Sequence, residues 1–136
     1  MKKLRYILAL AVIAVSCSQP EEMTITASVP GEEEVIVLDM NEPIDTIKVE
    51  DEGFKIGMPI DTADFYFLFL PNATSYITLY IQPLEQIKID ITKDGSFVNY
   101  EVEGSPGSER LQRVYKSNLK TYQLTDSLNA SLKKLK

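Results

Sequence analysis

The stretch 87–102, IKIDITKDGSFVNYEV, decides the fold. Apolar residues occupy every second position before and after the turn sequence KDGS at 93–96. This period of two is typical of strands with one face in a core and one in water, and turn residues between two such runs favour a hairpin. The stretch therefore predicts an antiparallel pair of strands.

The same alternation extends back to residue 23, with Gly, Pro, Asn or Asp at intervals of about ten residues. Residues 64–70 (DFYFLFL) are apolar on both faces, which predicts a central strand or one covered on its second side by a helix. Asp51, Glu52 and Gly53 predict a hairpin between neighbouring strands. We expect a mainly β fold over residues 23–104, an antiparallel β-sandwich or partly open barrel of seven or eight strands.

A helical pattern replaces the alternation after Gly104. Ser105 is a good N-cap and Pro106 suits the first helical position. Apolar residues then recur at helical spacing in two stripes. The sequence predicts a C-terminal helical segment over residues 105–136, as one helix or as two with a break near residues 123–125. The stripes are Leu111, Tyr115, Leu119 and Tyr122, followed by Leu124, Leu128, Leu132 and Leu135.

The N-terminus has the layout of a secretory signal peptide over residues 1–16: a basic start and a ten-residue apolar run, too short to span a membrane. The segment AVSC at 14–17 resembles a bacterial lipobox, with Ala14 where leucine is usual. The resemblance implies that Cys17 is lipidated and residues 17–22 form a tether. It implies an outer-membrane lipoprotein, facing the periplasm or the cell surface. An ordinary signal peptide with an incidental thiol is the alternative.

The amino-acid composition limits the kinds of reaction and metal site that the chain can support. The chain has no histidine and one cysteine, which excludes Ser-His-Asp and Cys-His nucleophiles, CxxC dithiol exchange and Cys/His zinc sites. Residues 18–104 carry eighteen acidic and four basic side chains, a formal charge of −14, whereas residues 105–136 carry seven basic and two acidic ones, or +5. An acidic body argues against nucleic acid as a partner. We predict no cofactor, no metal site and no catalytic residue.

Three features in order resemble one known family: the lipobox, the strand sequences DEGF at 51–54 and FY at 65–66, and the junction YEVEGSPGSE at 100–109 that leads into a helix. They are similar to the domain of unknown function that precedes thioredoxin-like (AhpC/TSA-type) domains in lipoproteins of Gram-negative gut anaerobes. The similarity covers roughly residues 23–130. It implies a module accessory to, or truncated from, a thioredoxin-like oxidoreductase, and it transfers no catalytic residue.

Several residues are candidates for sites. Tyr76, Thr78 and Tyr80 share one strand face and could form a binding platform, but packing beneath the C-terminal helix is the simpler explanation of these side chains. Asp61, Thr62 and Ala63 resemble the acceptor sequence of periplasmic O-glycosylation, with Thr62 as the modified residue. The acidic run at 32–34 predicts an exposed, solvated turn in preference to a calcium site.

Together these features predict a non-catalytic, membrane-anchored module of the cell envelope that acts through contacts with a protein partner or a thioredoxin-like domain. The alternative is a lipoprotein that binds a glycan or peptide, or hydrolyses a substrate with carboxylates. The sequence leaves open the partner, the oligomeric state, the membrane face, and whether a redox domain follows residue 136.

Overall fold

The structure is a computed structural model that describes residues 22–40, 42–94 and 97–135. The predicted signal peptide, residues 1–16, and the predicted lipidation site, Cys17, lie outside these residues. Within the described part of the chain, no helix is both long and apolar enough to cross a bilayer.

Within the described residues, eight strands precede one helix, as the alternation and the change of period at Gly104 predict. The helix is continuous from Pro106 to Lys133, so the chain adopts the first predicted alternative, one long helix, without a break near residues 123–125. The elements are β1 (Met23–Ser28), β2 (Glu34–Leu38), β3 (Pro43–Lys48), β4 (Gly53–Met58), β5 (Asp64–Leu70), β6 (Ser75–Ile81), β7 (Gln86–Asp94), β8 (Phe97–Glu103) and α1 (Pro106–Lys133).

The strands form two four-stranded sheets, which confirms the mainly β, sandwich-like fold; the barrel alternative is not adopted. One sheet has the order β4-β1-β7-β8 and the other β3-β2-β5-β6. All pairings are antiparallel except β1 with β7, which run parallel with Ile25 beside Ile87 and Ala27 beside Ile89. We call them the first sheet and the second sheet.

The predicted hairpin of β7 and β8 is confirmed, with Ile89 opposite Val102 and Ile91 opposite Tyr100. The predicted hairpin around residues 51–53 is wrong. The chain does turn tightly there, with a bridge between Glu50 and Gly53, but β3 and β4 belong to different sheets and β4 pairs with β1. The turn is a crossover between the layers.

Alternate residues of both sheets meet in one apolar core. Every second side chain of β6 and β7 is buried, and β5 contributes Leu68 and Leu70 with no exposure. Because side chains alternate across a pleated strand, the intervening residues of β5 and β6 must point away from this core. The core side chains from β6 and β7 are Ile77, Leu79, Ile81, Ile87, Ile89 and Ile91.

Glu32 closes one end of the sandwich. The prediction of an exposed acidic run at residues 32–34 is wrong for Glu32, whereas Glu33 and Glu34 are exposed. Its side chain is fully buried and accepts hydrogen bonds at 2.9 Å from the backbone amides of Asn72 and Ala73. Lys93 at the end of β7 donates to the same carboxylate at 3.3 Å. One side chain therefore joins the β1–β2 loop, the β5–β6 turn and β7.

The helix α1 begins as predicted, with Ser105 as its N-cap and Pro106 in the first turn. Ser108 then donates to the backbone carbonyl of Tyr80 at 3.0 Å and accepts from the Tyr80 amide at 3.0 Å. Tyr80 lies in β6, an edge strand of the second sheet. Polar helix side chains thus satisfy backbone groups that an edge strand leaves unpaired.

The next turns of α1 bind the edge strand of the first sheet. Gln112 accepts from the Val102 amide at 2.6 Å and donates to Glu101 at 2.8 Å, while the Tyr115 hydroxyl donates to the Val98 carbonyl. The first half of α1 therefore covers β6 and β8 together and closes one side of the sandwich.

Candidate functional site

An aromatic surface lies on the outside of the second sheet, where β5 and β6 run side by side. Opposite residues are Phe65 with Tyr80, Phe67 with Thr78 and Phe69 with Tyr76. We call these six side chains the aromatic face.

Two cross-strand pairs of the aromatic face bring their rings together. The ring centroids of Phe65 and Tyr80 are 5.0 Å apart at an interplanar angle of 58°, and those of Phe69 and Tyr76 are 4.7 Å apart at 33°. Aromatic rings prefer such tilted arrangements, and cross-strand aromatic pairs stabilise a sheet. The rings are thereby held at fixed positions before any partner arrives.

The aromatic face is partly open to solvent: Phe65 and Tyr76 are exposed, and its other four side chains are partly buried. Tyr76 is 54% exposed and Phe65 38%, and Met40 beside them is 63% exposed. Large contiguous apolar surface is uncommon on soluble monomers, so the exposed part of this face is a candidate interaction site. Tyrosine and phenylalanine are also enriched in protein interfaces.

Two depressions lie along the aromatic face. The first has a volume of about 440 Å³ and lies between the β2–β3 connection and β6; its lining residues are Leu38, Asp39, Met40, Phe67, Tyr76 and Thr78. The second has a volume of about 390 Å³ and lies where β5 and β6 meet the start of α1; its lining residues are Phe65, Tyr80, Gln82, Pro106, Gly107, Arg110 and Leu111. An acid, Asp39, lines the first depression and a base, Arg110, lines the second.

The start of α1 fixes the second depression. A Cβ atom at Gly107 would collide with the ring of Tyr80, so glycine lets the helix backbone lie directly against that ring. Ser108 holds both backbone polar groups of Tyr80 at the same time. The helix therefore positions Tyr80 without covering the rest of the aromatic face.

The structure separates the two interpretations of the predicted platform. Tyr76, Thr78 and Tyr80 do share one face, but packing beneath the helix applies to Tyr80 alone. Tyr76 and Thr78 line the first depression, away from α1. The three phenylalanines of β5 complete the face and were missed as site residues, because DFYFLFL is apolar at every position after Asp64 and gives no signal of which side faces out.

Burial governs the titration of the tyrosines near the helix. Burial, with a smaller effect of Tyr115, raises the pKa of Tyr100 to about 12, and burial raises the pKa of Tyr115 above its usual value. Hydrogen bonds from Lys116 and then Gln112 lower the pKa of Glu101. On the inner side of β5, burial and the nearby carboxylates of Asp64 and Asp39 raise the pKa of Tyr66.

The remaining candidate residues lie apart from the aromatic face. Thr62 is exposed in the loop between β4 and β5, where a modifying enzyme can reach it. Among residues 22–40, 42–94 and 97–135, no three metal-binding side chains come together. The acidic turn at Asp51 and Glu52 has two residues with positive φ, and the Val29 amide donates to the Glu52 carbonyl at 2.6 Å.

Comparison with known proteins gives one family. Residues 23–111 match the model of a domain of unknown function, DUF4369, and the chain belongs to that family. No curated protein and no solved structure matches the chain. The matched segment contains all eight strands and the first turns of α1, and therefore the whole aromatic face.

Proposed function

We propose that this member of the DUF4369 family is a non-catalytic, membrane-anchored module of the cell envelope that acts through protein–protein contacts made by its aromatic face. The lipobox-like sequence before Cys17 supports an anchor in the outer membrane. The resemblance of the 100–109 junction supports a role beside a thioredoxin-like thiol–disulfide oxidoreductase. The single observation that carries the proposal is the exposed row of aromatic side chains on the second sheet.

Leaving the exposed aromatic surface in water is unfavourable in free energy. Transfer of apolar area out of water contributes roughly 25 cal/mol per Å², and the exposed rings of β5 and β6 offer such area on a rigid sheet. The rings are already paired, so little side-chain entropy is lost when a partner covers them. Asp39 in one depression and Arg110 in the other allow the contact to select a partner of complementary charge.

A photo-crosslinking amino acid tests this role in living cells. Placed at Thr78, in the middle of the aromatic face, it should give a discrete covalent adduct after irradiation. Thr26 is the matched control, because it is an exposed threonine on the outer side of the first sheet. No adduct from Thr78, or equal adducts from both positions, would contradict the proposal.

The anchor has a separate test. Growth with an alkyne-labelled fatty acid should label the wild-type chain and leave Cys17→Ala unlabelled, and the variant should leave the membrane fraction. A labelled Cys17→Ala chain, or an unlabelled wild-type chain, would remove the anchor and with it the outer-membrane location.

Binding of a small glycan or peptide is the second candidate, favoured by the first depression. Its volume of about 440 Å³ falls in the usual range of ligand sites. Calorimetric titration with glycan and peptide libraries should then give saturable binding that Tyr76→Ala abolishes. The hydrolytic alternative gains no such support, because Asp39 is the one carboxylate among the described residues that line this depression and glycoside hydrolysis needs a pair.

A further inference from the structure

The second half of α1 leaves the body of the protein. Leu119 is its last large apolar residue that is partly buried, and we call residues 120–135 the arm. Its leucines are all exposed, from 60% to 82%. At about 100° per residue they fall within about 80° of one another around the helix, so they form one stripe. The stripe comprises Leu124, Leu128, Leu132 and Leu135.

The arm cannot reach the aromatic face of its own chain. The first turns of α1 are bound to β6 and β8 by Ser108, Gln112 and Tyr115, and the helix continues without a break to Lys133. Along β8 it runs from Val102 back to Val98, so the arm leaves beyond the start of that strand. A second chain is needed to bring an arm and an aromatic face together.

The dimensions of the arm and the face agree. The fourteen helical residues of the arm, 120–133, extend about 21 Å at about 1.5 Å per residue. The seven residues of β5 extend about 23 Å at about 3.4 Å per residue. A stripe of leucines is therefore long enough to follow the whole row of aromatic side chains.

The charges also agree. The arm, residues 120–135, carries three basic side chains and one acidic one, a formal charge of +2, and the strand body at residues 18–104 carries −14. Asp39 lines the first depression, and Lys120, Lys133 and Lys134 lie along the arm. Pairing of two arms is disfavoured, because Asp126 is the one acid in the sequence from 110 to 136 and like charges would meet.

We propose that the arm of one copy docks along the aromatic face of a second copy, and that the exchange is reciprocal. Each copy then gives its leucine stripe and receives its neighbour's, which closes a two-fold dimer. The inference rests on the proposed role of the aromatic face as a protein-docking surface and names the partner as the same chain.

Sedimentation of the purified protein over a range of concentrations tests the dimer. Wild type should sediment at twice the mass of one chain. Leu128→Glu on the stripe and Thr78→Arg on the aromatic face should each weaken dimerisation by about tenfold or more. Tyr122→Glu is the control on the arm, since this exposed residue lies about 160° around the helix from Leu124 and should leave the dimer intact.

Mixing the two weakened variants distinguishes the exchange from other contacts. A Leu128→Glu chain keeps an intact face and a Thr78→Arg chain keeps an intact arm, so the mixture should recover dimers that neither variant forms alone. Circular dichroism checks that each variant is folded. A monomeric wild type, a dimer insensitive to Thr78→Arg, or an arm that binds anionic lipid vesicles without dimerisation would overturn the inference.

The mass of the crosslinked adduct formed at Thr78 in cells distinguishes the proposed function from the proposed self-exchange. An adduct of two copies of this chain supports both. An adduct of another mass leaves the proposed function standing and overturns the self-exchange, and the absence of any adduct overturns the function itself.

Discussion

Replacing Glu32 by glutamine keeps the shape of the side chain and removes its charge. The carboxylate is fully buried at the end of the sandwich, where two backbone amides donate to its two oxygens at 2.9 Å. An amide side chain has one oxygen and one NH₂ group. One of the amides of Asn72 and Ala73 therefore loses its acceptor and faces a second donor.

The expected loss of stability follows from these contacts. A hydrogen bond to a charged acceptor contributes about 1.5–3 kcal/mol, so Glu32→Gln should lower the free energy of unfolding by about 2–3 kcal/mol. Glu32→Ala loses both bonds and should cost about 3–5 kcal/mol. Lys93→Met should cost at most about 1 kcal/mol, because the Lys93 side chain is 30% exposed and water screens its ion pair.

Urea unfolding followed by circular dichroism measures all three variants, with Glu33→Gln as the exposed neighbouring control. The control should stay within about 0.5 kcal/mol of wild type. The reasoning is refuted if Glu32→Gln is as mild as Glu33→Gln, or if Lys93→Met costs as much as Glu32→Gln, because the ion pair and not the backbone amides would then hold this end together.

Three further predictions concern the junction with α1. Gln112→Ala leaves the Val102 amide without its acceptor beneath the helix, so the free energy of unfolding in urea should fall by about 1–3 kcal/mol. A decrease below about 0.5 kcal/mol would show that water replaces the side chain as the acceptor. Gly104→Ala should lower the free energy of unfolding by about 2 kcal/mol or more, since Gly104 has φ +88° and a Cβ would meet the carbonyl of Gln86. Asparagine tolerates positive φ but brings the same Cβ, so Gly104→Asn should be no milder in the same assay. The pKa of Tyr100 is raised to about 12 in the folded protein, above the value of about 10 expected in the unfolded chain. The contribution of Tyr100 to stability is therefore present below pH 10 and is lost as the pH rises towards 12. Tyr100→Phe should flatten this loss of stability, and an unchanged pH profile in the variant would exclude Tyr100 as its source.

Sequence patterns predict the elements whose signals are local. The hairpin of β7 and β8 follows from alternation and the turn at 93–96, and the start of α1 follows from Ser105 and Pro106. The central place of β5 follows from its unbroken apolar run. Each of these depends on residues close together in the chain, so the pattern and the structure describe the same interactions.

Pairing between distant strands is not encoded in such patterns. The parallel neighbours β1 and β7 are about sixty residues apart, and nothing local to Ile25 indicates Ile87. The turn at residues 51–53 was predicted as a hairpin because turn residues there separate two strands. The chain does turn tightly at this point, but the turn carries it from one sheet to the other. Which strands pair is decided by how the two layers share one core.

The candidate site was predictable on one strand and not on the other. Period two in β6 places Tyr76, Thr78 and Tyr80 on one face, whereas β5 hides the outward positions of its phenylalanines among other apolar residues. Contacts of α1 with the body were missed because they are made by polar residues, Ser108 and Gln112, which hydrophobic periodicity assigns to solvent. Hydrogen bonding to edge strands leaves no apolar signal.

Nitration of Tyr76 in isolated cell envelopes tests most directly whether the aromatic face is covered by protein in its native setting. Tyr76 and Tyr122 are 54% and 66% exposed in the single chain, and peptide mass spectrometry reports the modification of each. We predict that Tyr122 is nitrated and Tyr76 is spared, while both react alike in urea. Equal nitration of both tyrosines in folded envelope protein would contradict it.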